Sequence, residues 1–306
     1  MAKSLVSVVL PCYNTEPYIE GAVRSILNQT FQDFELIIVN DGSTDQSSKI
    51  LAKLSDSRIK IIHQANQGLV ASLNRGIKQA TGRYIARQDA DDMSEPTRLE
   101  KQISMMEANS DLAIVGTSMS VINGEGRALH KHAVLLNDPE LRQELLIRSP
   151  FAHGSVMFRR DFAIQAGLYS QKFWPAEDYE FWTRLSDFGK LSNINEFLYH
   201  YRQNNEGISM KNQNLQTSML HAVQDKVWME RHKYITRKAI DINPYKGTFM
   251  GEIRQQRIIN NLRTVISKSI EARDFRFALK TMGLIRKNPS AYRKIAGSIR
   301  RKNAKT

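Results

Sequence analysis

The sequence has almost no cysteine and no long apolar run. Cys12 is the single cysteine among 306 residues, so a disulfide within the chain is impossible and a zinc site built on several cysteines is excluded. No stretch reaches the roughly 18 to 20 apolar residues that a membrane span needs, and residues 4–10 are too few for the core of a signal peptide. We therefore expect the protein to remain in the cytoplasm.

Two common nucleotide-binding loops are missing as well. The sequence contains neither the Gly-x-Gly-x-x-Gly fingerprint of dinucleotide-binding proteins nor the Gly-x-x-x-x-Gly-Lys-Ser/Thr loop of ATPases. A nucleotide ligand would therefore be held mainly through a metal ion and side chains.

Positive charge is concentrated in the last third of the chain. The net charge is +13, and residues 211–306 contain 22 Lys and Arg against 6 Asp and Glu. From residue 214 onward the apolar spacing is helical, which is typical of a basic region that binds an anionic membrane surface; a solvated helical cap is the alternative. No named nucleic-acid-binding fold is recognisable, so we expect no nucleic acid partner. We divide the chain into a domain over residues 1–210 and a basic helical region over residues 211–306.

Short apolar runs alternate with polar loops and helical patterns in the first domain. Four such runs begin at residues 5, 34, 59 and 84 and predict the strands of a parallel sheet. Further strands are predicted at residues 112–117, 151–158 and 198–202, with a hairpin over residues 118–134. This order predicts a doubly wound α/β sheet, whose ligands bind at the carboxyl ends of the strands.

Three carboxylates follow the fourth predicted strand. Asp89, Asp91 and Asp92 lie within four residues, and in extended backbone Asp89 and Asp91 share a face. Like charges this close repel each other unless a cation lies among them. Hard oxygen ligands suit Mg²⁺ or Mn²⁺, whereas a solvated acidic turn before a helix capped by Ser94 is the alternative.

Acidic residues also occur at two other predicted element ends. Asp41 follows the second strand, where it fits either a turn or a hydrogen bond to a nucleotide base or ribose. Glu177 and Asp178 open an aromatic-rich helix, where the helix dipole alone favours a carboxylate. Trp182 in the same helix offers a face on which a sugar ring could stack.

Together these segments resemble the family 2 glycosyltransferases with the GT-A fold. The resemblance rests on residues 6–14, 40–45, 82–92 and 177–185, in that order, and covers roughly residues 4–210. It implies a Rossmann-like, mostly parallel sheet flanked by helices, followed here by a basic α-helical extension. It also implies an inverting enzyme that uses Mn²⁺ or Mg²⁺ and takes a sugar from a nucleotide diphosphate sugar, commonly UDP-linked.

The resemblance implies roles for residues on the donor side. Pro11, Tyr13 and Glu16 match the loop that lines the nucleotide pocket, and Asp41 matches the aspartate that holds the base. Many relatives place a histidine after the last strand, but residues 201–209 contain none. We expect Arg202 to bind phosphate in its place.

The same resemblance implies the metal ligands and the catalytic base. Asp89 and Asp91 match the two acids of the Asp-x-Asp metal motif, and Asp92 is an extra acid that many members carry. Asp178 matches the catalytic base of the family's Glu-Asp motif, and Glu177 precedes it there too.

The acceptor side is less defined by sequence. We expect Glu177, Trp182 and His153 to lie there, although a lone histidine in a strand is more often a packing residue. Processive polysaccharide synthases carry Gln-x-x-Arg-Trp, whereas residues 182–185 of this chain read Trp-Thr-Arg-Leu. We therefore expect the addition of single sugars.

These observations lead to one functional expectation and one competing hypothesis. We expect transfer to a glycan or lipid-linked acceptor of a bacterial surface glycan, such as lipopolysaccharide or capsule, by an enzyme peripheral at the inner face of the membrane. The competing hypothesis is a catalytically silent nucleotide-sugar-binding or scaffold protein that keeps the fold. The intact set of Asp89, Asp91 and Asp178 favours the enzyme.

Overall fold

The computed structural model describes residues 4–204, 212–231 and 266–267. The strands within these ranges are β1 Val6–Cys12, β2 Phe34–Asp41, β3 Ile59–Gln64, β4 Tyr84–Arg87, β5 Met93–Ser94, β6 Leu112–Ile122, β7 Ala128–His132, β8 Met157–Arg159 and β9 Lys190–Arg202. The α-helices are α1 Ile19–Leu27, α2 Ser47–Ala52, α3 Leu69–Gln79, α4 Arg98–Ala108, α5 Asp138–Glu144, α6 Arg160–Gln165, α7 Glu177–Leu185 and α8 Gln213–Arg231.

One sheet forms the centre of the described structure. Its strand order is β3-β2-β1-β4-β8-β6-β9-β5, and β7 pairs with β6. Strands β1 to β4 are parallel, as are β6 and β9, whereas β8 runs antiparallel between β4 and β6. The predicted α/β class is confirmed, and the insertion of β8 makes the sheet mixed. Because the chain runs outward from β1 to β3 and then returns to β4, the loops after β1 and β4 border the crevice where the strand order reverses.

Helices cover both faces of the sheet because its strands are apolar on both faces. Val8 and Leu10 point to one side, where they pack in one apolar cluster with residues of α1 and α4. Val9 lies between them in sequence and packs on the opposite side with residues of α3, as expected when side chains alternate along a strand. Each fully buried side chain of this kind stabilises the fold by about 1.5–3 kcal/mol.

Two strands differ from their predictions. β9 spans Lys190–Arg202 rather than residues 198–202, and it includes the buried Asn193, whose Nδ2 donates to the Leu135 carbonyl at 2.8 Å. This polar residue interrupts the apolar pattern without interrupting the strand. The predicted strand over residues 151–158 shrinks to Met157–Arg159, since a short 3-10 turn at His153–Ser155 precedes it.

The start of α4 also differs from the prediction. The helix begins at Arg98 rather than at residue 95, so Ser94 does not cap it but pairs with Tyr199 in the two-residue strand β5. The acidic residues therefore run into a strand rather than into a helix.

Helix α8 packs on the first domain. Val223 and Val227 are buried in the same apolar cluster as Tyr179 and Trp182 of α7. The first helix of the predicted basic region thus shares a core with the sheet domain. No helix in the described ranges is long and apolar enough to cross a membrane. Most of the basic region over residues 211–306, for which we predicted membrane contact, lies outside the described residues.

Candidate active site

Asp89 is held by a buried arginine at the end of β4. The Arg87 guanidinium donates to Asp89 Oδ1 at 2.7 Å, and its side chain is 1% exposed while that of Asp89 is 29% exposed. Burial raises the pKa of Asp89, but the charge of Arg87 and its hydrogen bond outweigh this and lower the pKa below its ordinary value. Asp89 is therefore a fixed carboxylate with one side open.

Asp92 is used to anchor the loop. The Tyr199 hydroxyl donates to Asp92 Oδ2 at 2.7 Å, and the Arg202 backbone N–H donates to Asp92 Oδ1 at 2.6 Å. The same hydroxyl accepts from the Asp89 backbone N–H at 3.3 Å. Asp92 is buried, and burial raises its pKa well above the ordinary value, with the charges of Asp89 and Asp91 adding to the effect. The expectation that Asp92 faces a metal ion does not fit this setting, because both of its oxygens bind β9.

Arg202 likewise holds the loop from behind. Its Nε donates to the Asp91 carbonyl at 2.7 Å, and its Nη1 donates to the carbonyls of Asn123 and Gly124 at 2.8 Å each. The guanidinium also lies over the Tyr18 ring, 4.6 Å from its centroid. The side chain that we expected to bind phosphate is thus buried and joins the acidic loop to the β6–β7 hairpin.

Asp91 remains the carboxylate that is best placed to take a ligand. Its side chain is half-buried, and an Asn204 hydrogen bond and the more distant charge of Arg202 offset little of its charge. Burial and the charge of Asp89 raise the pKa of Asp91 to about 6. A carboxylate in this position is stabilised by an added cation.

Gly154 lets the 3-10 turn approach the acidic loop. A Cβ atom at this position would lie 1.8 Å from the Tyr199 hydroxyl and 2.5 Å from Asp89 Oδ2. The turn before β8 therefore forms a wall of the site, and only glycine leaves room for Asp89 and Tyr199.

The loop after β1 supplies one exposed aromatic ring. Tyr13 is 47% exposed, whereas Pro11 is buried within β1. Glu16 accepts a hydrogen bond from the Gln46 backbone N–H at 3.1 Å, so it fixes the start of the segment that leads into α2. Of the three residues expected to line a nucleotide pocket, Tyr13 and Glu16 are exposed, and Tyr13 offers an aromatic face.

Asp41 organises the neighbouring loop. Its Oδ1 accepts from Gln64 Nε2 at 2.6 Å and from the Gln67 backbone N–H at 2.9 Å, and its Oδ2 accepts from the Gly68 backbone N–H at 2.8 Å. Asp41 is buried. It therefore shapes the rim on which a base could lie, through the loop at residues 64–68.

Glu177 and Asp178 form the first turn of α7. Asp178 is half-buried and accepts from the Tyr179 backbone N–H at 2.7 Å. Burial raises the pKa of Asp178 to about 6, and the charge of Asp89 adds to this while the Tyr179 hydrogen bond opposes it. Glu177 is buried, its Oε2 has no hydrogen-bond partner in the described part of the chain, and burial together with the Asp178 charge raises its pKa to about 8. Burial thus favours the protonated form of both carboxyl groups, and it does so more strongly for Glu177 than for Asp178.

The acidic loop and the α7 acids belong to one site. The charges of Asp89 and Arg87 act on both Glu177 and Asp178, although β4 and α7 are far apart in sequence. A polar group placed between these acids would face carboxylates from two sides.

His153 and Tyr169 lie between the two groups of acids. His153 Nε2 and the Tyr169 hydroxyl are 3.0 Å apart. Burial and the charge of Arg87 lower the pKa of His153 to about 3, so the ring is neutral at physiological pH. The charges of Asp178 and Asp89 act on Tyr169 as well, which places this pair at the centre of the site.

Trp182 lies in the core and not on the acceptor side. The side chain is 0% exposed and its ring packs against Phe181, Phe158 and Tyr169 at centroid distances of 5.2, 5.9 and 6.0 Å. The expectation that this ring stacks on a sugar is wrong. Its spacing from Tyr179 and Leu185, three residues on either side, was the available signal for a core position.

Several residues of the site were not predicted. Arg87 precedes Asp89 by two positions and so shares its face in extended backbone, which was a usable signal. Tyr199, Gly154 and Tyr169 reach the site from β9, the 3-10 turn and the loop before α7, and no local pattern marks them.

The acids fit a divalent metal ion that relies on few protein ligands. No group of three or more His, Cys, Asp or Glu side chains in the described residues is arranged to hold a metal by itself. Asp91 is nevertheless a hard oxygen ligand, and burial together with the neighbouring charge of Asp89 raises its pKa, so an added cation would favour its ionised form. Mg²⁺ and Mn²⁺ commonly use one or two carboxylates and complete their coordination with water and substrate phosphates. This donor set therefore suits a metal ion brought together with a phosphorylated substrate.

Comparison with known sequences identifies related proteins. Residues 7–167 match the family model described as Glycosyl transferase family 2. The chain is 35% identical over 212 residues to an uncharacterized glycosyltransferase of Haemophilus influenzae, and the match covers 65% of each chain. It is 34% identical over 208 residues to the O-antigen biosynthesis glycosyltransferase WbnJ of Escherichia coli, covering 66% of this chain and 81% of WbnJ.

Solved structures share the fold. TarS 1-349 of S. aureus, in complex with UDP-GlcNAc, aligns with a TM-score of 0.61 at 19% identity and covers 98% of this chain and 92% of that one. The mannosyltransferase PcManGT of Pyrobaculum calidifontis, in complex with GDP-Man and Mn²⁺, aligns with a TM-score of 0.55 at 15% identity and covers 93% and 86%.

Proposed function

The chain belongs to glycosyl transferase family 2, and we propose that it transfers a single sugar, with inversion, from a nucleotide diphosphate sugar to a hydroxyl group of a growing surface glycan. One observation carries this proposal. The charge of Asp89 at the end of β4 raises the pKa values of Glu177 and Asp178 at the start of α7, and the 3.0 Å contact between His153 and Tyr169 joins the 3-10 turn beside Asp89 to the loop before α7. That arrangement supports one reaction in which the acids after β4 act on the phosphate side and the acids of α7 act on the acceptor side.

Donor binding is proposed for the crevice between the loops after β1 and β4. The exposed ring of Tyr13 provides a face for the base, and the loop held by Asp41 provides the adjoining rim. A UDP-linked donor is favoured by the complex of TarS with UDP-GlcNAc, whose fold this chain shares. A GDP-linked donor remains the second candidate because of the PcManGT complex.

Asp91 would hold the metal ion, with Asp89 beside it and with Asp92 fixing the loop. A bound Mn²⁺ or Mg²⁺ supplies a Lewis acid for the negative charge of the diphosphate. The protein's part is to keep Asp91 aimed at that position, through the Arg202 bond to its carbonyl and the Tyr199 and Arg202 bonds to Asp92.

Asp178 is the proposed general base. An ionised carboxylate with a pKa raised to about 6 can take the proton of the acceptor hydroxyl at neutral pH. As it does so, the acceptor oxygen forms its bond to the anomeric carbon, and the bond between that carbon and the diphosphate oxygen breaks with its electron pair leaving on the diphosphate. One displacement of this kind inverts the anomeric centre and needs no second nucleophile on the protein.

The acceptor and the location of the enzyme rest on other features. The likeness to WbnJ, named for O-antigen biosynthesis, supports a surface glycan acceptor on a glycan or lipid carrier. The basic sequence over residues 211–306 supports a peripheral position at the inner, anionic face of the membrane. A catalytically silent binding or scaffold protein would keep the fold, but it would not need a base at Asp178.

Donor turnover in the presence of Mn²⁺ tests this proposal. The purified chain is incubated with UDP-GlcNAc, UDP-glucose, UDP-galactose and GDP-mannose in turn, and release of the nucleoside diphosphate is followed with water as the acceptor. We expect slow release from one of them. Asp178→Asn should reduce that release about 100- to 10,000-fold, while nucleotide affinity measured by calorimetry stays within about 2-fold.

The matched control is Asp161→Asn, an exposed acid in α6 outside the site. This variant should behave as the wild type in both assays. Normal turnover by Asp178→Asn would show that Asp178 is not the base. Absence of nucleoside diphosphate release from every donor would favour the scaffold protein.

A further inference from the structure

Helix α7, which bears Asp178, has a further buried carboxylate, Glu180, at the end of its first turn. The Glu180 side chain is only 2% exposed, and two cations share it. Arg184, one helical turn later, contacts both oxygens at 2.8 and 2.7 Å, and Lys226 of helix α8 contacts Oε1 at 2.6 Å. Burial raises the pKa of Glu180, but the hydrogen bonds and charges of these two cations outweigh it and lower the pKa, so the carboxylate stays ionised.

The same cluster reaches the loop that ends in Tyr169. The Arg184 guanidinium donates to the carbonyls of Ala166 and Leu168, the latter at 2.6 Å. Gly167 and Leu168 have positive φ angles of 86° and 61°, so this loop adopts a conformation that is unfavourable for Leu168 and has to be held in place. Tyr169 follows directly, and its hydroxyl lies 3.0 Å from His153 Nε2.

Helix α8 makes further contacts around the start of α7. Gln216 donates to the Pro175 carbonyl at 3.3 Å, two residues before α7 begins. The Lys226 ammonium group also lies 5.3 Å from the centroid of the Phe173 ring. With Val223 and Val227 buried against the same cluster, α8 contacts the base helix through apolar packing, a hydrogen bond and an ion pair.

We propose that α8 contributes to the active site and that Lys226 is a positioning residue for the catalytic base, acting through Glu180. The ion pair resists rotation of α7 about its axis, because Glu180 and Asp178 belong to the same helix and Glu180 contacts Lys226 of α8 at 2.6 Å. Because Lys226 also neutralises Glu180, the Arg184 guanidinium can donate to the backbone carbonyls of the loop before Tyr169. The inference rests on the proposed function for its kinetic part, whereas the bracing of α7 is tested independently.

Three variants test the proposal. Lys226→Met removes the charge and keeps an apolar chain of similar length over Phe173, and Lys226→Arg restores the charge. Lys172→Met is the matched control, because the Lys172 ammonium group also lies near the Phe173 ring, at 5.7 Å, but is exposed and makes no ion pair among the described residues.

We expect Lys226→Met to lower kcat for donor turnover about 10- to 100-fold, the range for a misplaced catalytic group, with donor KM unchanged within about 2-fold. Hydrogen–deuterium exchange of a peptide covering residues 176–181 should become faster. Lys226→Arg should restore both values, and Lys172→Met should change neither.

Two results overturn the proposal. One is wild-type kcat and wild-type exchange in Lys226→Met. The other is a parallel loss of kcat and donor affinity that Lys226→Arg does not restore, because that pattern reports general destabilisation. If the wild type turns over no donor, the proposed function fails, and the exchange of residues 176–181 alone decides whether Lys226 braces α7.

Discussion

Replacing Gly154 by alanine should disrupt the acidic loop from outside it. The added Cβ would lie 1.8 Å from the Tyr199 hydroxyl, whereas ordinary contacts begin at 3.4 Å, so a retreat of about 1.6 Å is required. A hydroxyl cannot move that far and keep its hydrogen bonds of 2.7 Å to Asp92 and 3.3 Å to the Asp89 backbone.

The magnitude follows from two costs. Forcing a methyl group into a packed site costs about 1–3 kcal/mol, and leaving a buried polar partner unsatisfied costs about 1–3 kcal/mol more. The free energy of unfolding should therefore fall by about 2–6 kcal/mol, which for a domain of this size lowers the melting temperature by about 5–20 °C. Because Asp89 must also shift, we expect Mn²⁺-dependent affinity for UDP to fall at least about 10-fold.

Thermal denaturation and titration calorimetry with UDP and Mn²⁺ measure both effects. Gly21→Ala is the control, because Gly21 lies on helix α1 and its added Cβ would meet nothing closer than Met93 Sδ at 3.9 Å. Alanine in a helix is favoured over glycine by about 1 kcal/mol, so the control should melt at or above the wild-type temperature. A Gly154→Ala protein with wild-type melting and UDP affinity would refute the described contact between the 3-10 turn and the acidic loop.

Three more outcomes are expected. Asp91→Asn should abolish the gain in UDP affinity that Mn²⁺ gives, as measured by calorimetry with and without the metal; a retained gain would place the ligand elsewhere. Arg202→Met should lower the melting temperature, because three backbone carbonyls lose their donor; a loss of UDP affinity at unchanged melting temperature would instead return Arg202 to phosphate binding. The kcat for donor turnover should rise about tenfold per pH unit up to pH 6 and then level off, because the base works in its ionised form and burial raises the pKa of Asp178 to about 6; a kcat that is independent of pH between 4.5 and 6 would contradict that role.

The sheet was predictable where burial leaves an uninterrupted apolar run. Strands β1 and β2 are buried on both faces, and each contains a run of consecutive apolar residues, residues 8–12 in β1 and residues 36–39 in β2. Strand β9 was predicted only in part, because the buried Asn193 interrupts its apolar pattern and the hydrogen bond from its Nδ2 to the Leu135 carbonyl is not marked by any local pattern. The antiparallel insertion of β8 depends on contacts with both β4 and β6, which are distant in sequence.

The positions of the acids were predictable from the sequence, but the different role of each acid was not. Asp89, Asp91 and Asp92 look alike in sequence, yet Arg87 fixes the first and Tyr199 and Arg202 bind the third. The difference arises because β9 pairs beside the loop and brings Tyr199 against it from 110 residues away. An aromatic residue such as Trp182 is equally ambiguous until packing shows that the ring is buried.

A crystal structure with a UDP-sugar and Mn²⁺ would show whether Asp91 and Asp178 face one donor from opposite ends. We expect an anomalous difference peak about 2.1 Å from the Asp91 carboxylate, shared with the diphosphate, and a sugar whose free face points to Asp178. A manganese ion that contacts neither Asp91 nor Asp89, or a sugar whose free face points away from α7, would contradict it.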